Sequence, residues 1–279
     1  MAGSNLNFES EIKPHSKLGF GIDELWKYRE LFYFYTWRDI KVRYKQTFFG
    51  FAWAVLQPIL MMVLFTFVFS QKLGVPSDSI PYPIFVFSGL LIWNVFSTGI
   101  TNASNSMINN AHIMKKIYFP RLIIPISSVM VTLFDFLMAF SIYIVLLFYY
   151  QIGINLLYFT FSLLAAVIIT SLATFGIGSM LAALHIKYRD FKYVIPYTVQ
   201  VLLFATPVIY PSSLITNTFV KVVVYLNPVS GSISLLRSAI SDAPVDWSML
   251  MISAVSSLVL FVVGILYFRK SENYFADIA

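Results

Sequence analysis

Cysteine is missing from all 279 residues, which excludes disulfides and thiol chemistry. Charge is scarce as well: Asp, Glu, Lys and Arg make up 11% of the chain, against roughly 25% in an ordinary soluble domain. Histidine occurs at 15, 112 and 185 only, with no spacing that converges on a metal. No H-x-x-x-H pair, no serine nucleophile elbow and no glycine-rich Walker A loop is present. Those absences remove metallohydrolase, serine hydrolase and nucleotide-hydrolysis readings for the chain itself. Nor do the first 20 residues show a short basic, apolar and cleavage-site pattern, so membrane insertion is expected to rely on later segments.

What fills the sequence instead is hydrocarbon. The composition is 58% hydrophobic and mean hydropathy is +0.77. Apolar runs long enough to cross a bilayer recur along the chain; twenty helical residues cover about 30 Å, the thickness of the hydrocarbon layer. The expectation is an all-α polytopic membrane protein. A net charge of +6 would suggest nucleic acid in a soluble protein. Here the basic residues flank the apolar runs, so membrane topology accounts for them and no nucleic-acid partner is expected.

The chain is organised around residues 38–70. A charged collar containing Arg38, Lys41, Arg43 and Lys45 feeds an apolar run at 51–70, interrupted by Pro58. Ahead of it, residues 25–35 place charges first and aromatics second, which suits an amphipathic helix lying in the membrane interface with Trp26 and Trp37 near headgroup level. Further spans are expected at 84–99, 122–149, 158–184, 193–210 and 247–268. The polar tract from Thr101 to Asn110 reads as the end of the second span and a short surface helix. Residues 219–226 and 229–240 are apolar but too short to span and read as re-entrant. This divides the chain into a cytoplasmic segment with the interface helix (1–50), a six-span domain (51–268) and a cytoplasmic tail (269–279). Of the 19 lysines and arginines, all but Lys72, Lys221 and Arg237 then fall on one side, which predicts both termini in the cytoplasm.

Two features inside the spans stand out. Asp135 is a lone carboxylate within the third span, and its insertion cost of roughly 2.5–3.5 kcal/mol predicts a position facing protein. A structural role is expected rather than proton coupling. Small residues at Ala166, Thr170, Thr174, Gly178 and Ala182 recur every four residues on one face of the fourth span, a pattern that lets helices approach closely. Without acid or histidine relays, charge rings or a repeated filter, the chain reads as half of a larger machine whose energy comes from elsewhere. Two cytoplasmic loops are candidate docking sites for that engine: 109–116, with Asn109, Asn110, His112, Lys115 and Lys116, and 185–192, with His185, Lys187, Tyr188, Arg189 and Asp190.

A family resemblance gives this outline content. Tyr28-Arg29-Glu30-Leu31, the run from Arg38 to Thr47, Gly50 and Trp53 resemble the amino-terminal pattern of type-2 ABC exporter permeases. Pro120-Arg121, Lys187-Tyr188-Arg189-Asp190, Pro207-Val208-Ile209-Tyr210 and Asn227-Pro228 extend the likeness over most of residues 26–268, in the polysaccharide and polyol-phosphate branch. The resemblance implies a homodimer in the bacterial inner membrane with two copies of a cytoplasmic ATPase, which binds ATP and Mg. This chain would bind no cofactor of its own. It implies coupling helices at the two loops, a periplasmic pair of re-entrant helices, and an undecaprenyl-diphosphate-linked O-antigen polysaccharide as substrate. Capsular polysaccharide, teichoic acid, or a small lipid or drug would suit the same fold. Arg38, Lys41, Arg43 and Lys45 are candidate contacts for the substrate headgroup, or for anionic membrane lipids. A scaffold protein and an ion-coupled carrier are the readings from other classes.

Overall fold

The computed structural model describes residues 22–45, 51–77, 79–114, 116, 119–241 and 244–272. The expectations for 1–21, 46–50, Lys115 and 273–279 lie outside these. Among the described residues the chain is all-helical. It runs through α1 (Ile22–Lys27), α2 (Arg29–Lys45), α3 (Phe51–Phe65), α4 (Tyr82–Asn109), the short α5 (Ala111–Met114), α6 (Ile123–Tyr149), α7 (Leu156–Lys187), α8 (Phe191–Ala205), α9 (Thr218–Tyr225), α10 (Pro228–Ser238) and α11 (Trp247–Glu272). A π-helical turn, Thr66–Lys72, prolongs α3.

Among the described residues, five helices are long and apolar enough to cross a membrane: α3 with its π-helical extension, α4, α6, α7 and α11. α8 is shorter than the expected 193–210. Its 15 residues rise about 22 Å, and it stops because Pro207 cannot continue it; Thr206 takes the extended backbone (φ −89°, ψ 141°) that a following proline favours. α9 and α10 form a pair bent by 98°. Asn217 caps α9 and Asn227 caps α10, with Pro228 at the first turn of α10. α2 is not the segregated amphipathic helix expected: its charged and aromatic residues are spread around its circumference, and it runs on through the charged collar. Tyr35 and Tyr44 are buried while Tyr33, Phe34 and Trp37 are exposed.

α4 is the axis of the bundle. Some 78% of its most apolar stretch is buried within the one chain, against 11–33% for the other long helices. Those helices turn residues such as Leu60, Val63, Ile168, Leu258 and Val259 outward, as lipid-facing surfaces do. The polar tract after Gly99 does not end the second span. It continues α4 to Asn109, because its side chains bond their own helix: Thr101 donates to Ser97 O (2.8 Å), Ser104 to Thr101 O (2.8 Å) and Ser106 to Ala103 O (2.6 Å). Polarity that is satisfied locally costs little to bury.

α7 packs on α4 and α11. Ala166, Thr170, Thr174, Gly178 and Ala182 are all buried. A Cβ at Gly178 would lie 2.7 Å from that of Ala103 on α4. Gly176 and Gly264 meet backbone to backbone where α7 crosses α11. α11 in turn holds the bend between α9 and α10: Ser253 donates to Tyr225 O (2.7 Å) and Ser256 to Leu226 O (2.6 Å), filling carbonyls that the bend leaves without helical donors. At its other end, the Arg121 guanidinium donates to Glu272 O (2.8 Å) and its backbone N–H to Glu272 Oε1 (3.2 Å).

The interruption after α8 is held by Arg237 of α10. This side chain is 8% exposed. Its guanidinium donates to Pro207 O (2.7 Å), Val208 O (2.7 Å), Phe85 O (3.0 Å) and Ser88 Oγ (3.3 Å), and lies 3.5 Å from the Phe85 ring centroid. By sequence Arg237 is one of three basic residues that fall off the cytoplasmic side, in the segment read as re-entrant. Its five donors suit it to a stretch of backbone that has left the helix.

Candidate functional site

Between α2, α3, α4, α6 and α8 lies a cavity of about 860 Å³. α4 contributes Asn94, Thr98, Thr101 and Asn102, spaced i, i+4, i+7 and i+8 and hence on one helical face. α3 adds Trp53, Gln57 and Pro58; α6 adds Thr132, Asp135 and Phe136; α8 adds Pro196 and Val199. With Ala54, Leu91, Val95 and Ala139 also in the wall, its surface is largely apolar, crossed by a strip of neutral amide and hydroxyl side chains and edged by a charged rim.

That rim is Arg43 and Asp135. Arg43 Nη1 lies 2.8 Å from Asp135 Oδ2, and Tyr44 O–H donates to Asp135 Oδ1. Asp135 faces protein, as its insertion cost requires, but it is not a lone carboxylate: α2 brings it a cation and a hydroxyl. The Tyr44 hydroxyl is pushed up from its ordinary pKa, first by burial and then by its bond to Asp135. The Tyr44 and Phe134 rings sit 5.8 Å apart beside the pair.

The other three candidate headgroup residues do not line the cavity. Arg38 donates to Asp39 Oδ1 (2.7 and 2.9 Å) and to Asn110 Oδ1 (2.8 Å), under the Tyr35 ring. Lys41 lies 5.2 Å from the Trp37 ring centroid, and Lys45 is exposed. Of the loop residues, Asn109, His112, Lys116, Lys187, Tyr188, Arg189 and Asp190 are exposed. Two point inward: Asn110 takes the Arg38 bond, and His185 belongs to the end of α7, with Nδ1 3.2 Å from Ser104 O. The second loop thus shrinks to Tyr188–Asp190, because α7 ends only at Lys187 and α8 starts at Phe191.

Sequence reasoning missed Gln57, Asn94, Thr98 and Asn102 as one surface. The signal was there in the helical spacing of the α4 residues, hidden by reading the polar tract as a terminator. No group of three or more His, Asp or Glu side chains suited to a metal occurs among the described residues.

Comparison with known proteins fits this architecture. Residues 30–241 match the family model described as ABC-2 type transporter. An O-antigen export system permease protein, RfbA, of Klebsiella pneumoniae is 30% identical over 243 residues, covering 87% of this chain and 92% of that protein. RfbA of Myxococcus xanthus is 27% identical over 257 residues, covering 91% and 97%. The polysialic acid transport protein KpsM of Escherichia coli is 24% identical over 246 residues, covering 85% and 91%. Family match, apolar helices and the lack of any nucleotide-hydrolysis motif agree that this multi-pass chain is a transmembrane permease and belongs to the ABC-2 type transporter family.

Proposed function

We propose that the chain is the membrane-spanning subunit of an ATP-driven exporter that moves undecaprenyl-diphosphate-linked O-antigen polysaccharide from cytoplasm to periplasm. The observation that carries this is the cavity of about 860 Å³ with a strip of neutral amide and hydroxyl side chains along a largely apolar wall. Those side chains exchange hydrogen bonds with sugar hydroxyls, and the half-exposed Trp53 lines the same space. Such a wall accepts many glycosidic linkages in succession, as passage of a polymer requires. Similarity to the RfbA proteins, which are O-antigen export system permeases, supports the substrate class.

The working unit is a homodimer in the inner membrane with both termini cytoplasmic. Two copies of an ATPase, holding ATP and Mg, dock on Asn109, His112 and Lys116 and on Lys187, Tyr188, Arg189 and Asp190. The similarity to KpsM supports a second reading, a capsular polysaccharide exporter. The test is ATP-dependent movement into sealed vesicles by the chain and its ATPase, offered lipid-linked O-antigen, lipid-linked capsular glycan or a small amphiphile. Preference for O-antigen supports the first reading and preference for capsular glycan the second. Movement of the small amphiphile alone defeats both.

A further inference from the structure

Arg43 occupies a position that no topological need explains. It is the one candidate headgroup residue whose side chain lines the cavity, and it is about as accessible (38%) as a surface arginine, yet it is tied to the half-buried Asp135 (19%). The tie crosses from α2 to α6. Asp135 does not depend on it alone: the ion pair uses Oδ2, while Oδ1 accepts from Tyr44. A carboxylate with two donors on two oxygens can release one and keep the other.

We infer that Arg43 is an exchangeable cation, which holds Asp135 in the resting chain and turns to the diphosphate of a lipid-borne substrate when the cavity is loaded, leaving the Tyr44 bond as the remaining polar tie between the end of α2 and Asp135 of α6. The inference rests on the reading of the cavity as the path of a lipid-linked glycan. Three observations support it. A guanidinium presents a planar fork of donors that matches phosphate oxygens in pairs, whereas the bond to Asp135 runs through Nη1 to one oxygen. A diphosphate carries more negative charge than one carboxylate, so at equal distance it wins the cation. Arg43 also stands in the last turn of α2 with the exposed Lys45, where the positive field favours an arriving anion. Farther back, the bond from Arg38 to Asn110 stays in place, so the end of α2 loosens at Arg43 while Tyr44 and Arg38 keep it moored.

Diphosphate and phospholipid headgroups share phosphate chemistry, and the experiment separates them. The complex with its ATPase, in nanodiscs of phosphatidylethanolamine, is titrated with undecaprenyl diphosphate, with undecaprenol or with phosphatidylglycerol. Amide hydrogen exchange is followed across residues 39–45. Undecaprenyl diphosphate should speed exchange there by about tenfold, the equivalent of one lost charged hydrogen bond, while the other two lipids leave it unchanged. Arg43→Gln should abolish that response, and Arg43→Lys, lacking the fork, should restore part of it. Asp135→Asn should show fast exchange before any lipid is added, with Tyr44 still able to donate to the amide oxygen, and should bind the diphosphate lipid more tightly. An equal response to phosphatidylglycerol, binding of the diphosphate without any change in exchange, or an unaltered response in Arg43→Gln would overturn the inference. Normal glycan export by Arg43→Gln would sink it while leaving the proposed function standing; failure of every variant and the wild type to move lipid-linked glycan would remove the proposed function itself.

Discussion

Two arginines divide the molecule into unlike halves. Arg237 sits in the packed half, where α4, α7, α10 and α11 meet, and spends its donors on backbone carbonyls and a serine hydroxyl. Arg43 sits at the rim of the open half, where α2, α3, α4, α6 and α8 surround the cavity, and pairs with a carboxylate. Carbonyls of a broken helix cannot leave, so Arg237 is a permanent strut. A carboxylate with a second donor can let go, so Arg43 is replaceable by design of its surroundings. The same side chain thus serves rigidity in one half and exchange in the other, and its partner decides which.

The contrast is broken most severely at Arg237. Arg237→Met leaves the carbonyls of Pro207 and Val208 without this donor, at about 1–3 kcal/mol for each buried unsatisfied group. A large fall in thermal unfolding temperature in detergent is expected, whereas Arg43→Gln should shift it little. Next comes packing. Gly178→Leu must push a side chain into Ala103, and overpacking of this kind costs about 1–3 kcal/mol. Ile168→Phe, on an exposed face of the same helix, should leave folded yield and thermal stability near wild type. Equal losses for the two would remove the claim that α4 and α7 are in close register.

Smaller in stability, though not in function, is charge reversal at Lys187 and Arg189 together. Both are exposed, so the fold should be unaffected, while ATP hydrolysed per glycan moved should rise if the proposed ATPase docking is right. An unchanged ratio would clear these charges of any coupling role. The smallest effect belongs to Asp246. Its carboxyl is held down to about 2 by Lys221 (2.7 Å) and then Ser248. Its stabilising contribution is complete above the ordinary value of 3.8 and fades as pH falls toward 2. For so exposed a pair that is worth about 0.2–1 kcal/mol. Asp246→Asn should therefore lose a little stability at pH 6 and nothing relative to wild type at pH 2, read by unfolding in detergent.

Legibility followed the same division. The packed half could be read from sequence because one-dimensional patterns specify it. Apolar runs placed α7 and α11 within a few residues of their observed ends. The bent pair followed from two runs too short to span on either side of Asn227-Pro228. The open half resisted because its features are pairings across sequence. Arg43 and Asp135 were each singled out, but 92 positions separate them and nothing local joins them. Asn102 belonged to a tract that reads as the polar end of a span, while Asn94 and Thr98 lie inside the expected span; the hydroxyls of the tract bond their own helix. Nothing local gives Arg237 a partner, because the gap it fills exists only once Pro207 has stopped α8.

The two serines that α11 sends to the bend, and the bonds from Arg121 to Glu272 at its far end, make that helix a connecting rod. Its 26 residues measure about 39 Å. Ser253 and Ser256 grip the elbow between α9 and α10 by its carbonyl oxygens rather than by yielding side-chain contacts. Gly264, close against Gly176, gives the rod a narrow bearing midway. Side-chain bonds at both ends of α11 thus tie the elbow at Tyr225 and Leu226 and the start of α6 at Arg121 to one rigid helix.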